Sequence, residues 1–118
     1  MKNILKNKYN VFINMSEELS SKSVYPADKY TFVKFERSHR HDKKYNAVLR
    51  NKATGRIKKI PFGAKGYAQY KDSTGLKLYS SQDHLDEERR KRYQKRHEGE
   101  GNNTRKYSAG WFSYNYLW

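Results

Sequence analysis

The chain has 118 residues and a formal net charge of +14, with 26 Lys and Arg against 12 Asp and Glu. It contains no cysteine, which excludes a disulfide framework and a thiolate metal site. Hydrophobic residues make up 35% of the chain, and many of them are tyrosines, so we expect one domain with a small aromatic core. The sequence shows neither an apolar run of the ~20 residues that a membrane span needs nor a signal peptide, which favours an intracellular or packaged protein.

The first two thirds of the chain predict an arm followed by a small sheet. Residues 1–29 lack a hydrophobic period and contain several serines and a proline, as in an N-terminal arm that is extended or ordered by a partner. Residues 30–36, 45–50 and 56–62 are the candidate strands, because they combine β-branched and aromatic residues with alternation. They predict an antiparallel meander, with Pro61 at a sheet edge and residues 76–79 as an optional fourth strand.

Positive charge is concentrated in this meander, since residues 31–80 hold thirteen Lys and Arg against three acids. We expect an acidic partner or nucleic acid to bind there. The candidate binding residues are Lys43, Lys44, Arg50, Lys52, Arg56, Lys58, Lys59 and Lys65. A period of two places Arg56 and Lys58 on one face of the third strand and Ile57 on the other. The alternative is that these lysines only protect a solvated edge strand from pairing.

A short, highly charged helix is expected from about Asp83 to His97. Acids precede cations in this segment and Gly99 follows it, which matches the helix dipole and a glycine stop signal. Its apolar anchors are few, mainly Leu85 and Tyr93, so we expect it either to lie on the sheet through its arginine stems or to bridge to another molecule.

The C-terminal segment 109–118 contains five aromatic residues. Helical spacing places Trp111, Tyr114 and Trp118 on one side, which we expect to pack on the sheet face formed by apolar residues of the first two strands. Docking of this segment on a neighbouring protein remains the alternative. The packing or docking residues are Trp111, Phe112, Tyr114 and Trp118.

Motifs for catalysis or metal binding are weak in this sequence. His39 and His41 share a spacing that suits a strand, but they lie in a cationic turn that disfavours a divalent cation. Asp86, Glu87 and Glu88 are consecutive and point in different directions on a helix. No nucleophile elbow, phosphate loop, zinc finger or ribonucleoprotein motif occurs. We therefore expect a protein that is not an enzyme and that uses no metal, cofactor or small-molecule substrate.

Three blocks of the sequence resemble a known family. They are IPFGAKGY at residues 60–67, the segment from His84 to His97, and AGWFS at residues 109–113 with a terminal Leu-Trp. They resemble HFGxKGY, HxDxxRKxRYxxRH and TAGFWS…LLW in small basic proteins of large DNA viruses of algae and protists and of some aquatic phages. The resemblance covers about residues 45–118. Pro61 replaces the family's histidine, residues 72–80 form an insertion, and Gly101-Asn102-Asn103 stands where a tryptophan is usual.

The resemblance implies a viral protein, but the family has no assigned activity. Together with the residue patterns it predicts a small α+β fold: a meander of three or four strands, one charged helix and an aromatic C-terminal segment. The expected function is that of a virion structural protein, a minor capsid or cement component bound to major capsid or shell proteins. The alternative is a nucleic-acid-binding protein that condenses or packages viral DNA. The expected location is the virion, and the host cytoplasm or nucleus during assembly.

Overall fold

The computed structural model describes residues 25–118. Within this range the chain forms a three-stranded antiparallel sheet of β1 (Tyr30–Arg37), β2 (Lys43–Asn51) and β3 (Ile57–Ala64), in the order β1-β2-β3. This confirms the α+β fold and the meander, and it places Pro61 on an edge strand as expected. Residues 76–79 form a bend followed by a turn instead of a fourth strand. Most of the proposed N-terminal arm lies outside the described residues.

An irregularity in β1 determines which aromatic rings enter the core. The register pairs Phe32 with Leu49 and Phe35 with Ala47, with a shift between Phe32 and Lys34. Strict alternation would place side chains three positions apart on opposite faces, whereas an extra residue, here Val33, restores them to the same face. Both phenylalanine rings consequently lie on the side where Tyr45, Ala47 and Leu49 are buried.

The C-terminal segment completes this core as helix α2 (Ala109–Tyr116). The N-terminal cap of α2 is Ser108, whose hydroxyl accepts a hydrogen bond from the Trp111 amide. Phe112 is only 1% exposed and stacks on Phe62, with the ring centroids 5.5 Å apart. Leu117, just past the helix, is also buried. The segment therefore packs on the sheet within its own chain, as expected.

The expectation of which side chains pack on the sheet holds only in part: Trp111 and Trp118 pack against the core, but the residues buried in it are Phe112 and Leu117. Phe112, Tyr116 and Leu117 face it, whereas Trp118 stacks on Tyr93 with centroids 4.2 Å apart and an interplanar angle of 4°. Trp111 and Tyr114 are half-buried at the flanks of α2. The physical reason is that the helix ends at Leu117, so helical spacing no longer describes the direction of Trp118.

The charged helix, α1 (Glu87–Arg96), begins later than the predicted Asp83. Its N-terminal cap is Asp86, whose carboxylate accepts hydrogen bonds from the amides of Glu88 and Arg89. The α-helix cannot extend further towards the N-terminus because Leu85 has a φ of +55°, and Ser80–Gln82 form a separate 3-10 helix. No residue of α1 is buried, and its main aromatic contact is the Tyr93–Trp118 stack rather than the sheet.

Candidate functional site

Four of the predicted binding residues surround the turn between β2 and β3. Arg50, Lys52, Arg56 and Lys58 are all exposed, and none forms an ion pair with another described residue. We call these four residues the basic end of the sheet.

The backbone of this turn is closely hydrogen-bonded. The amides of Ala53 and Thr54 donate to Asn51 Oδ1, and the amide of Gly55 donates to the Asn51 carbonyl oxygen at 2.8 Å. Gly55 adopts a φ of +75°, a conformation that favours glycine. The basic end is therefore carried on an ordered support, although its long side chains reach into solvent.

The cations of the basic end do not share one face. The register places Ile57 opposite Arg50 and Lys58 opposite Leu49, so Lys58 and Arg50 project from opposite faces. The predicted separation of Lys58 from Ile57 is thus confirmed. These four cations therefore do not form one continuous cationic face, because alternation distributes them over both sides of the hairpin.

Lys59, a fifth predicted residue, is partly neutralised. Its ammonium lies 3.0 Å from the Glu36 carboxylate. The hydrogen bond from Asn46 lowers the pKa of Glu36 most, with Lys59 and Lys34 adding to the effect against the opposing influence of desolvation. Glu36 is consequently ionised at neutral pH and compensates the charge of Lys59.

The remaining predicted residues lie at the opposite end of the hairpin. Lys43 pairs with Ala64, and Lys65 comes directly after Ala64. Ala64 is seven residues after Ile57, so an extended strand places it about 23 Å from Ile57. Lys44 is only 2% exposed and therefore does not belong to a binding surface, which corrects the prediction. The physical reason is that its Nζ donates hydrogen bonds to the Tyr67 carbonyl oxygen (2.6 Å) and to Gln69 Oε1.

Lys44 is part of a buried polar cluster that sequence reasoning missed. Gln69 Nε2 donates to the Tyr79 carbonyl oxygen (2.9 Å) and to Asp83 Oδ1 (2.7 Å). Desolvation lowers the pKa of Lys44, and the charges of Asp72 and Asp83 act in the opposite direction. The cluster fixes the long loop 65–86 against the sheet. No local sequence pattern predicts the cluster, because its members are up to 39 positions apart in the sequence.

A second arm of the cluster joins Tyr45 to Asp72. The Tyr45 hydroxyl donates to Asp72 Oδ2 at 2.5 Å and accepts from the Leu78 amide at 3.0 Å. Burial, followed by the hydrogen bond to Asp72, raises the pKa of Tyr45 to about 12. Burial alone would raise the pKa of Asp72, but hydrogen bonds from Tyr45 and Thr74 outweigh it, so this pKa is lowered.

The other acids are mostly engaged within the fold. Asp86 caps α1, and Glu87 accepts from the Tyr70 hydroxyl at 2.5 Å and pairs with Arg90 at 3.6 Å. Glu100 lies 3.3 Å from His97 and close to Gly110, at the start of α2. A carboxylate near the N-terminus of a helix interacts favourably with the helix dipole. Because the acids serve the fold, the exposed charge is dominated by cations.

Helix α1 contributes a further line of exposed cations. Arg89, Arg92 and Arg96 follow one another at spacings of three and four, which places them along one side of the helix over about 10 Å. None of the three forms an ion pair with another described residue. Arg90, by contrast, turns inward, and its Nε donates to the Trp118 carbonyl oxygen at 2.9 Å.

Exposed aromatic rings for stacking on bases are scarce. Tyr67 is 72% exposed, so its ring does not pack on the sheet. Tyr70 lies under the Arg90 guanidinium, 4.7 Å from its ring centroid, and Tyr79 packs edge-to-face on Tyr45 at 5.4 Å. Of these three tyrosines, only Tyr67 has an exposed ring.

A pocket of about 360 Å³ lies between the end of β3 and helix α2. Its walls include Lys43, Lys44 and Gln69, with Phe62, Leu117 and Trp118 as the larger apolar surfaces. Residues of the first two turns of α2 also line it.

The described residues contain neither a metal site nor a membrane-spanning helix. Across residues 25–118, no group of three or more His, Asp or Glu side chains is arranged to hold a metal ion, and His39 and His41 are both exposed. Helices in this part of the chain are too short and too polar to cross a membrane.

Comparison with known proteins gives one family match. No curated protein and no solved structure matches the chain. The match spans most of β1, the whole β2–β3 hairpin and the start of the following loop, so it includes all eight predicted basic residues. Residues 33–74 thus match a family model that is described only as a family of unknown function (DUF5754).

Proposed function

We propose that this protein binds the phosphate backbone of nucleic acid and that it has no enzymatic activity. The primary contact is the basic end of the sheet, with the arginine line of α1 as an additional cationic surface. In a viral setting, which the family resemblance suggests, the ligand is the genome during condensation or packaging.

The observation that supports this proposal is the unequal use of acids and bases. Glu36, Asp72, Asp83, Asp86 and Glu87 are engaged in hydrogen bonds or ion pairs of the fold. The cations of the basic end have no such partners among the described residues. Unpaired Lys and Arg on a surface bind phosphates by releasing counterions, and they need no base-specific contact.

The distribution of the cations over both faces of the hairpin favours one mode of binding. A hairpin that lay flat on a duplex would contact it through only one of its faces. A hairpin end that lies between the two phosphate strands contacts phosphates through both faces. Because most aromatic rings among residues 25–118 are buried or half-buried, base stacking contributes little. We therefore expect weak sequence preference and a strong dependence on salt.

The test is fluorescence anisotropy of a labelled DNA duplex at several salt concentrations. Arg56→Gln combined with Lys58→Gln is expected to weaken binding and to reduce the slope of log K against log salt by about 2. The matched control is Lys71→Gln with Lys77→Gln, which removes the same charge from exposed positions outside the basic end. Equal losses in the two double variants would contradict the proposal, because they would indicate bulk charge rather than a site.

A second candidate is the virion structural role, in which the chain binds capsid or shell proteins. The observation that favours it is exposed apolar surface on the loop 65–86: Tyr67 is 72% and Leu85 58% exposed. Since Phe112 and Leu117 are in the core, docking would use this loop rather than those residues. Proteomics of washed particles of the encoding virus tests it. A protein that is abundant in infected cells but missing from the particles would contradict this role.

A further inference from the structure

Helix α1 and the basic end of the sheet lie at opposite ends of the β2–β3 hairpin. Tyr93 of α1 lines the same pocket as Lys43 and Ala64, which pair with each other at the end of the hairpin remote from its turn. The strand from Ile57 to Ala64 separates this end from the basic end by about 23 Å. The two cationic surfaces are therefore distinct surfaces on one sheet rather than parts of a single patch.

The outward side of α1 is strongly cationic. Arg90 and Tyr93 face the rest of the chain, where they contact the carbonyl oxygen and the ring of Trp118. The other cations of the helix are exposed and form no ion pair with a described residue; they are Arg89, Lys91, Arg92, Lys95 and Arg96. Because Glu87 pairs with Arg90, only Glu88 within α1 opposes these charges. Closely spaced cations of this kind fit a DNA duplex, which carries one negative charge per about 1.7 Å of its axis.

Between the two ends, the described faces of the sheet present few unpaired cations. Helix α2, which packs on one face, contains no charged residue. On the other face the register places Lys34 and Lys59 on either side of Val48, and the Glu36 carboxylate compensates Lys59 at 3.0 Å. A single duplex that lay along the sheet would therefore gain little between its contacts at the two ends.

We propose that one chain binds two DNA duplexes at once, the first at the basic end of the sheet and the second along the arginine line of α1. This inference rests on the proposed duplex-binding function, and it assigns α1 to a second duplex instead of a further contact with the first. Repulsion between the two duplexes does not prevent such bridging, because charges are screened over about 10 Å at 0.1 M salt and the two surfaces are further apart. The protein then draws together separate duplexes, or distant parts of one long duplex.

Capture of a second duplex on beads tests this inference. One duplex is fixed to the beads, and a fluorescent duplex of another sequence is added, with both duplexes in excess over the full-length protein. The excess makes it rare for several chains to coat one duplex. The unmodified protein is expected to retain the fluorescent duplex, and retention should be lost at the salt concentrations that release a single duplex.

Substitutions on α1 should separate capture from simple binding. Arg92→Gln combined with Arg96→Gln is expected to abolish retention of the fluorescent duplex. The affinity for a single duplex, measured by anisotropy, should stay unchanged because the basic end is intact. The matched control is Lys71→Gln with Lys77→Gln, which removes the same charge outside both surfaces and should retain the second duplex. All four positions are exposed, and equal thermal unfolding curves would show that the variants are folded.

A mixture of variants distinguishes bridging by one chain from bridging by a dimer. Arg56→Gln combined with Lys58→Gln should also lose most of the retention, because it weakens the other surface. Mixing this protein with the α1 double variant supplies both intact surfaces on different chains, so retention should not return. Retention that returned on mixing, or that the α1 variant kept, would overturn the inference, because the second duplex would then be held by another copy or another surface.

The two proposals fail in different ways. If the unmodified protein bound a single duplex with the expected salt dependence but retained no second duplex, the bridging inference would be overturned and the proposed function would stand. If the protein bound no duplex at all, the proposed function itself would be contradicted, and the inference with it.

Discussion

Replacing Phe112 by alanine should remove the centre of the core. The Phe112 ring is 1% exposed and has four aromatic neighbours from β1, β3 and the segment before α2. Its centroid lies 5.9 Å from Phe32, 5.9 Å from Phe35, 5.5 Å from Phe62 and 5.9 Å from Tyr107. One side chain thus joins three parts of the fold that are distant in sequence.

The expected loss of stability follows from this environment. Truncation of a buried phenylalanine to alanine costs about 3–5 kcal/mol, through lost transfer free energy and the cavity that remains. Each aromatic pair contributes about 0.5–1.5 kcal/mol beyond buried area, so the upper part of this range applies, about 4 kcal/mol. A domain of this size is stable by about 5–15 kcal/mol, so the variant should lose a large share of its free energy of unfolding.

Urea denaturation followed by circular dichroism measures this loss. With a slope of about 1–3 kcal/mol per molar urea, the midpoint should fall by about 2 M or the variant should be unfolded without urea. The matched control is Asn115→Ala on the exposed side of the same helix, which should change stability by less than about 0.5 kcal/mol. If the two variants had similar midpoints, α2 would not be part of the core and the packing argument would fail.

Three further substitutions test other parts of the structure by the same denaturation assay. Gly63→Ala should destabilise the fold by about 1–3 kcal/mol more than Gly55→Ala. Both glycines have a positive φ, but an added Cβ would be crowded at Gly63 and not at Gly55. Equal losses of stability in the two variants would contradict this explanation. Asp86→Ala should cost about 1 kcal/mol through loss of the α1 cap, whereas Asp86→Asn should retain most of it; a harmless alanine would contradict the cap. The pKa of Asp72 is lowered, so its stabilising effect is complete above the ordinary value of 3.8 and is lost as pH falls through the folded-state pKa. Asp72→Asn should therefore show a flatter loss of stability on acidification, and an unchanged pH profile would exclude this carboxylate as a cause.

Much of the fold could be predicted from local patterns. Alternation and β-branched residues locate the three strands to within a few residues, because a strand with one buried face needs this period. The charge order of the helix and its following glycine indicate α1 for a similarly local reason, the helix dipole. The start of α1 was predicted too early. Asp83 and Asp86 are equally suitable caps in sequence, and they are distinguished only by the hydrogen bonds that Asp83 accepts from Gln69 and Asp72.

The candidate sites depend on contacts that local patterns do not encode. Composition alone shows that the chain is strongly basic, that it contains no thiol and that its core must be aromatic. Which cations remain in solvent depends on tertiary contacts. Lys43 and Lys44 are adjacent and identical in type, yet Lys44 is buried because residues 67 and 69 supply its hydrogen-bond acceptors. Similarly, strand pairing places Arg50 and Lys58 on opposite faces of the sheet. Burial of a charge requires partners brought together by the whole fold, so that choice is made only when the chain has folded.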